Sequence, residues 1–249
     1  MERCERVVVE DATVLAQEAA RRFGEFARIA VEVRGRFRVA LAGGTTPEAL
    51  YLLLAHPPYK DAIPWQQVEV FFGDERFVDP QDPQSNLRMA RETLLSRVPI
   101  LEKNIYPFPT VSVTPEEAAE RYDRTLRATF EPAPVAFDLI LLGLGPDAHT
   151  ASLFPGDSRL DSPSGTLTAV IHHAPKPPPI RLTLTLRAIN GARVVMFLVH
   201  GSSKADAVRS VFCEPADPLR RPAQGVNPTS GKVLWLLDRE AARHLAASA

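Results

Sequence analysis

Residues 137–156 read FDLILLGLGPDAHTASLFPG. From Leu139 to Leu142 every side chain is aliphatic, so neither face of the segment suits water. A strand of that kind is buried on both faces, the mark of a parallel sheet covered by helices. It runs into Gly143-Leu144-Gly145-Pro146-Asp147-Ala148-His149-Thr150, which is turn chemistry followed by an acid and a base. In an open α/β sheet, ligands bind outside the carboxyl ends of the strands, so the residues after each strand are where chemistry is expected.

Similar runs flank this one. Strands are expected at 6–9, 37–42, 68–72, 193–199 and 233–237, with further candidates at 168–171 and 180–184. Helical patterns fill the gaps. Asp11 is placed to cap a long helix whose apolar face carries Leu15, Ala19, Phe23, Phe26, Ala27 and Ala30. Other helices are expected at 47–55, 86–96, 115–129, 204–212 and 238–247. Thr114-Pro115-Glu116-Glu117 supplies a capping Thr, a proline in the first turn and acids at the positive end of the dipole. Strand alternating with helix predicts an α/β fold: a doubly wound, mostly parallel sheet with helices on both faces. No repeat or long flexible linker interrupts the chain, so one domain is expected over 1–249.

Composition narrows the function. The 249 residues are 45% hydrophobic, too apolar for a disordered chain. Lys and Arg number 29 against 30 Asp and Glu. That balance lacks the basic excess of a bulk nucleic-acid binder. Cys4 and Cys213 make no disulfide framework and no CxxC. No apolar run approaches the ~20 residues of a spanning helix, and the charged Met1-Glu2-Arg3-Cys4-Glu5-Arg6 is unlike a signal peptide. A cytoplasmic protein with no membrane association is expected. No histidine pairs with cysteines or carboxylates at zinc-ligand spacing, so no metal is expected. No G-x-S-x-G is present for a serine nucleophile.

The strand ends carry the candidates. After 37–42, Gly43-Gly44-Thr45-Thr46-Pro47 offers free backbone N–H groups, with Thr46 able to cap a helix; this is either an anion site or a tight turn. It is not Walker A, because no Gly-Lys-Ser/Thr follows. After 68–72, Gly73-Asp74-Glu75-Arg76 puts two carboxylates and a guanidinium at a strand end. Gly143 to Ala148 fits G-x-G-x-x-A, but Pro155-Gly156 interrupts the long helix a dinucleotide site requires. Asp147 and His149 point to acid/base work instead. After 193–199, Lys204 begins a helix and so opposes its dipole unless an anion is bound. Arg181 is a further cation with no obvious partner. Together these describe a site of sugar-phosphate size beside an Asp/His pair, compatible with hydrolysis or isomerisation.

Five stretches resemble the glucosamine-6-phosphate isomerase/6-phosphogluconolactonase superfamily, on its lactonase side: 41–51, LAGGTTPEALY; 71–95, FFGDERFVDPQDPQSNLRMARETLL; 137–156; 181–208, RLTLTLRAINGARVVMFLVHGSSKADAV; and 222–241, RPAQGVNPTSGKVLWLLDREA. They stand in the family's order and cover nearly the whole chain. The resemblance implies a modified Rossmann-like fold. It also implies hydrolysis of a small sugar-phosphate lactone, 6-phospho-D-glucono-1,5-lactone, in the pentose phosphate pathway, with no cofactor and no obligate protein partner. By the same resemblance His149 is the general base and Arg76 steadies the oxyanion. Asp147 and Asp74 orient His149 and substrate hydroxyls. Gly43, Gly44 and Thr45 seat the phosphate, with charge from Arg181 and Lys204.

Two rivals are weaker on the same residues. The sister deaminase pattern is Asp-Glu-Tyr after the third strand and Ile-Ala-Phe-Asn-Glu-Pro after the histidine; here stand Asp74-Glu75-Arg76 and Thr150-Ala151-Ser152-Leu153-Phe154-Pro155. A sugar-phosphate sensor would carry a DNA-binding module, for which a first strand at about residue 6 leaves no room. Ala148 stands where the family has glycine. The expectation is a negative φ there, with the methyl turned away from the cleft.

Overall fold

The computed structural model describes residues 4–157 and 165–245. In chain order it comprises β1 (Cys4–Val9), α1 (Ala12–Arg34), β2 (Phe37–Leu41), α2 (Thr45–Leu54), α3 (Tyr59–Ala62), β3 (Val68–Phe72), β4 (Asp74–Arg76) and α4 (Asn86–Ala90). There follow α5 (Pro115–Phe130), β5 (Leu139–Leu142), β6 (Thr168–Ile171), β7 (Arg181–Leu184), α6 (Leu186–Asn190), β8 (Val194–Val199), α7 (Ala205–Cys213), β9 (Lys232–Asp238) and α8 (Arg239–Ala242).

Six strands form a wholly parallel sheet in the order β1-β9-β8-β5-β2-β3. Every residue of β5 and β8 is buried, which requires cover on both faces. The core is one continuous apolar cluster reaching from Leu15 on α1 to Ala241 on α8. After β2 the chain moves outward to β3, then returns to lay β5 on the other side of β2. That reversal opens a crevice between the carboxyl ends of β2 and β5, where doubly wound sheets bind ligands.

The main departure from expectation is a second sheet. It is small and antiparallel, in the order β4-β7-β6. The segments 168–171 and 180–184 belong to it and not to the parallel sheet. β4 was unforeseen: it follows β3 after the single residue Gly73 and pairs Asp74 with Thr183, Glu75 with Leu182 and Arg76 with Arg181. The small sheet therefore stands over the crevice and presents the Asp74–Arg76 segment to it.

Helix ends follow local chemistry. The Asp11 carboxylate accepts from the N–H groups of Thr13 and Val14. Thr114 and Glu117 form a reciprocal capping box with Pro115 in the first turn. Two expectations need correcting. The helix expected at 86–96 is α-helical only to Ala90, and Arg91–Leu95 widens into a π-type turn. The helix expected at 238–247 is α-helical over Arg239–Ala242, and positions 246 and 247 lie outside the described residues. No described helix is long and apolar enough to cross a membrane.

Candidate active site

The crevice is a cleft with a volume of about 420 Å³. Its lining includes Gly43, Gly44, Thr45, Asp74, Arg76, His149, Arg181 and Lys204, all expected from the sequence. Asp147 is not in the lining; it stands behind His149.

The loop after β5 sets the acid/base pair. The Asp147 Oδ1 lies 2.5 Å from His149 Nδ1 and 3.3 Å from the His149 backbone nitrogen. With Nδ1 engaged, Nε2 is the nitrogen left for the cleft. The Phe154 ring lies against the imidazole, with centroids 4.7 Å apart. Burial pulls the Asp147 carboxyl up, but the hydrogen bonds and charge of His149 outweigh it and hold the group below its ordinary value. Gly145 makes the arrangement possible: a Cβ there would lie 1.9 Å from Nδ1 and 2.5 Å from the Asp147 Oδ1. The Gly145 N–H also donates to the His149 carbonyl at 2.8 Å, closing the turn.

Ala148, between them, has φ 63°, which overturns the expected negative angle. Its N–H bonds the Gly145 carbonyl and its own carbonyl accepts from Ala223 N–H, so the turn and a neighbouring segment together fix the conformation. Its methyl is buried and absent from the cleft lining, as expected. Ala151, in the same loop, also has positive φ, 47°.

Asp74 bridges two segments far apart in sequence. Its Oδ2 accepts from Ser152 Oγ at 2.7 Å and its Oδ1 from Asn86 Nδ2 at 3.1 Å. Asn86 also donates to the Asp74 carbonyl, while its Oδ1 is buried without a partner. That oxygen fills the place a side chain at residue 43 would need: a Cβ on Gly43 would come within 2.0 Å of it. Neither Asn86 nor Ser152 was singled out from sequence, because their link to Asp74 spans distant parts of the chain.

Glu75 turns inward. Its carboxylate accepts from the N–H groups of Arg76, Asn86 and Leu87 and from Ser85 Oγ. Burial pushes its carboxyl up, against those bonds. It ties β4 to the start of α4 and leaves Arg76 facing the cleft, bonded through Nη1 to the Gln84 carbonyl.

At the other side, α2 begins at Thr45, and its N-cap is Gly44 with φ 98°, not Thr46. No side chain caps this terminus, so its N–H groups open to the cleft. Lys204 precedes α7. Burial, then the charge of Lys176, holds its amine below the usual lysine range, with Asp147 opposing. Arg181 is not the partnerless cation expected: it is buried and bonds the carbonyls of Lys176, Pro177 and Pro178. Lys176 itself lines the cleft and was missed. Among the described residues, no three His, Cys, Asp or Glu groups are placed to hold a metal ion.

Residues 10–235 match the family model described as glucosamine-6-phosphate isomerases/6-phosphogluconolactonase. The chain belongs to this family. A curated member from a Synechocystis species, named 6-phosphogluconolactonase, is 44% identical over 219 residues, covering 87% of this chain and 88% of that one. The solved 6-phosphogluconolactonase of Trypanosoma brucei superposes with TM-score 0.85 at 30% identity, covering 97% of this chain and 98% of that one. That of Thermotoga maritima gives 0.81, also at 30%, over 94% and 99%.

Proposed function

We propose that the chain is a cytoplasmic lactonase. It hydrolyses 6-phospho-D-glucono-1,5-lactone to 6-phosphogluconate, a step of the pentose phosphate pathway. One observation carries the reading: four cations, Arg76, Lys176, Arg181 and Lys204, surround a cleft whose His149 is held through Nδ1 by Asp147. The names of the similar proteins support the substrate.

In this mechanism Asp147 keeps the Nδ1 proton in place, so Nε2 is free to accept one. A water bound at Nε2 attacks the lactone carbonyl and its proton passes to His149. Arg76 stabilises the negative charge that develops on the carbonyl oxygen. Collapse breaks the bond to the ring oxygen, which takes the proton back from His149; no group outside the chain, substrate and water is consumed. Asp74, fixed by Ser152 and Asn86, accepts from substrate hydroxyls. The phosphate rests on Gly43, Gly44 and Thr45 at the α2 terminus, with Lys204 and Arg181 supplying charge.

The test is lactone consumption measured above the spontaneous ring-opening rate, beside glucosamine 6-phosphate. Fast hydrolysis of the lactone with no ammonia from the amino sugar is expected. Ammonia release, or a lactone rate equal to the blank, sinks the reading.

A further inference from the structure

His149 and Arg76 reach the cleft from different sheets. His149 stands on the loop after β5, a strand of the parallel sheet, and Arg76 ends β4, a strand of the small one. Their separation is set by what joins the two. Near the imidazole, the loop bonds mostly to itself: Gly145 N–H to the His149 carbonyl, Ala148 N–H to the Gly145 carbonyl and Thr150 Oγ1 to the Gly143 carbonyl. Three residues past His149, Ser152 ties the loop to the small sheet. Its N–H donates to Thr183 Oγ1 on β7 at 3.3 Å, and its Oγ donates to Asp74 Oδ2 on β4 at 2.7 Å. Thr183 and Asp74 are cross-strand partners in the β4–β7 pair, so the three residues close a ring. Ser152 and Thr183 are both buried, and the Thr183 hydroxyl donates onward to the Leu184 carbonyl at 3.0 Å.

We propose that Ser152 is a positioning residue for the lactone hydrolysis: its two bonds set where His149 stands relative to Arg76. The proposal rests on the roles proposed above for those two groups. Asp74 and Arg76 lie two apart on β4 and share the face turned to the cleft, while Glu75 between them turns inward. A bond that fixes Asp74 therefore fixes the stretch that aims Arg76. A hydroxyl donating to a carboxylate makes a charge-assisted bond, shorter and stronger than a neutral one, and burial keeps water from competing for it. Ser152 also follows Ala151 directly, whose φ is 47°. Left-handed backbone at a residue with a side chain persists where its surroundings hold it, and the Ser152 bonds supply that hold. Ser152 takes no part in the proton transfers, because its hydroxyl proton is committed to Asp74; Thr183 does not line the cleft at all. Both act through His149 and Arg76. The water that His149 activates and the oxygen that Arg76 steadies belong to one carbonyl, so the two groups must fit a single fixed span. A misplacement of about 1 Å in such an arrangement costs on the order of 10²-fold in rate.

The experiment compares the wild type with Ser152→Ala, Thr183→Val, Thr183→Ser and the double variant Ser152→Ala/Thr183→Val, each checked for a native melting transition. KM and kcat are measured on 6-phospho-D-glucono-1,5-lactone, binding of 6-phosphogluconate by calorimetry, and exchange of the residue 152 N–H by NMR. Ser152→Ala should lower kcat by about 10- to 100-fold, while KM and 6-phosphogluconate affinity move by less than about threefold. Thr183→Val removes the hydroxyl that accepts from Ser152 and should also lower kcat; Thr183→Ser keeps the hydroxyl and should recover most of that loss. The double variant should lose less than the product of the two single losses, because breaking either bond opens the same ring. Exchange of the residue 152 N–H should quicken by about tenfold or more in Ser152→Ala and Thr183→Val. A kcat within about twofold of wild type in Ser152→Ala, or a loss carried by KM alone, overturns the positioning role. So does a Thr183→Ser variant no better than Thr183→Val. A wild type that hydrolyses no lactone removes the proposed activity instead. The tie between the two sheets then stands or falls on the exchange measurement, and exchange unchanged in both variants overturns it.

Discussion

The two ends of the parallel sheet treat charge in opposite ways. At the amino end, acids and bases are matched within the chain. Asp138, just before β5, accepts from Arg34 Nε at 2.8 Å and from the Arg38 N–H at 2.9 Å, with Arg193 Nε at 3.4 Å. Glu69 on β3 takes Arg38 at 2.7 Å and Arg36 at 3.3 Å. At the carboxyl end, Arg76, Lys176, Arg181 and Lys204 have no carboxylate within salt-bridge reach among the described residues, and the two arginines are held by backbone carbonyls instead. A carbonyl fixes a guanidinium without neutralising it. The amino end thus uses charge to hold the fold, and the carboxyl end leaves its cations without a carboxylate partner, as the proposed phosphate site requires. Substitutions at the two ends should separate cleanly into losses of stability and losses of function.

The largest effect belongs to His149. Replacing it with alanine should lower kcat about 10²–10⁴-fold, the usual share of a general base, while 6-phosphogluconate still binds and melting barely shifts. Near-full activity of this variant at neutral pH would make His149 a structural residue. Next comes Arg76→Lys, which keeps the charge and loses the planar fork of donors. A fall in kcat of about 10²-fold, larger than the change in KM, is expected from losing an oxyanion donor. A change confined to KM would move Arg76 from oxyanion to substrate binding.

Asp138→Ala tests the amino end. Its carboxylate is buried and serves two guanidinium groups and a backbone N–H. Removing it strands those donors and should cost about 2–3 kcal/mol in chemical denaturation, with kcat/KM unchanged. Lost activity at full stability would show that the two ends are coupled and that the division of labour fails.

The amino-acid sequence made one end far easier to read than the other. The parallel strands are legible because β5 and β8 are apolar at every position, and burial on both faces leaves no other solution. The cleft is legible wherever a strand runs into glycine, followed by open backbone N–H groups at Gly43 and by charged side chains after Gly73 and Gly143. β4 was not, because Asp74-Glu75-Arg76 has no apolar alternation. Its place is set by backbone pairing to β7 and by the buried Glu75 carboxylate, both of which join residues distant in the chain. The same holds for Asn86, Ser152 and Lys176. Each earns its place in the cleft through a contact that no local pattern announces. Arg181 was found as a cation, but its partners are carbonyls, which leave no trace in the side-chain sequence.

Ala148 gives the smallest expected effect and the sharpest limit on the comparison, because it is strain kept at the functional end. A left-handed alanine costs roughly 1–2 kcal/mol relative to glycine, and its φ of 63° is fixed by the bond from its own N–H to the Gly145 carbonyl and by the bond from the Ala223 N–H to its carbonyl. Ala148→Gly relieves that strain. It also frees the unfolded chain, at about 0.4–1 kcal/mol, and removes a buried methyl worth about 0.8 kcal/mol. The three terms nearly cancel, so stability should change by no more than about 0.5–1 kcal/mol in either direction. The methyl does not line the cleft, so kcat/KM should stay within about twofold of wild type. A loss well beyond 1 kcal/mol would mean that packing of the methyl dominates and that the strain is smaller than φ implies. A fall in kcat at unchanged stability would carry the opposite lesson. The alanine would then be stiffening the turn that aims His149, and the strain at this end of the sheet would serve the reaction as directly as the unpaired charge does.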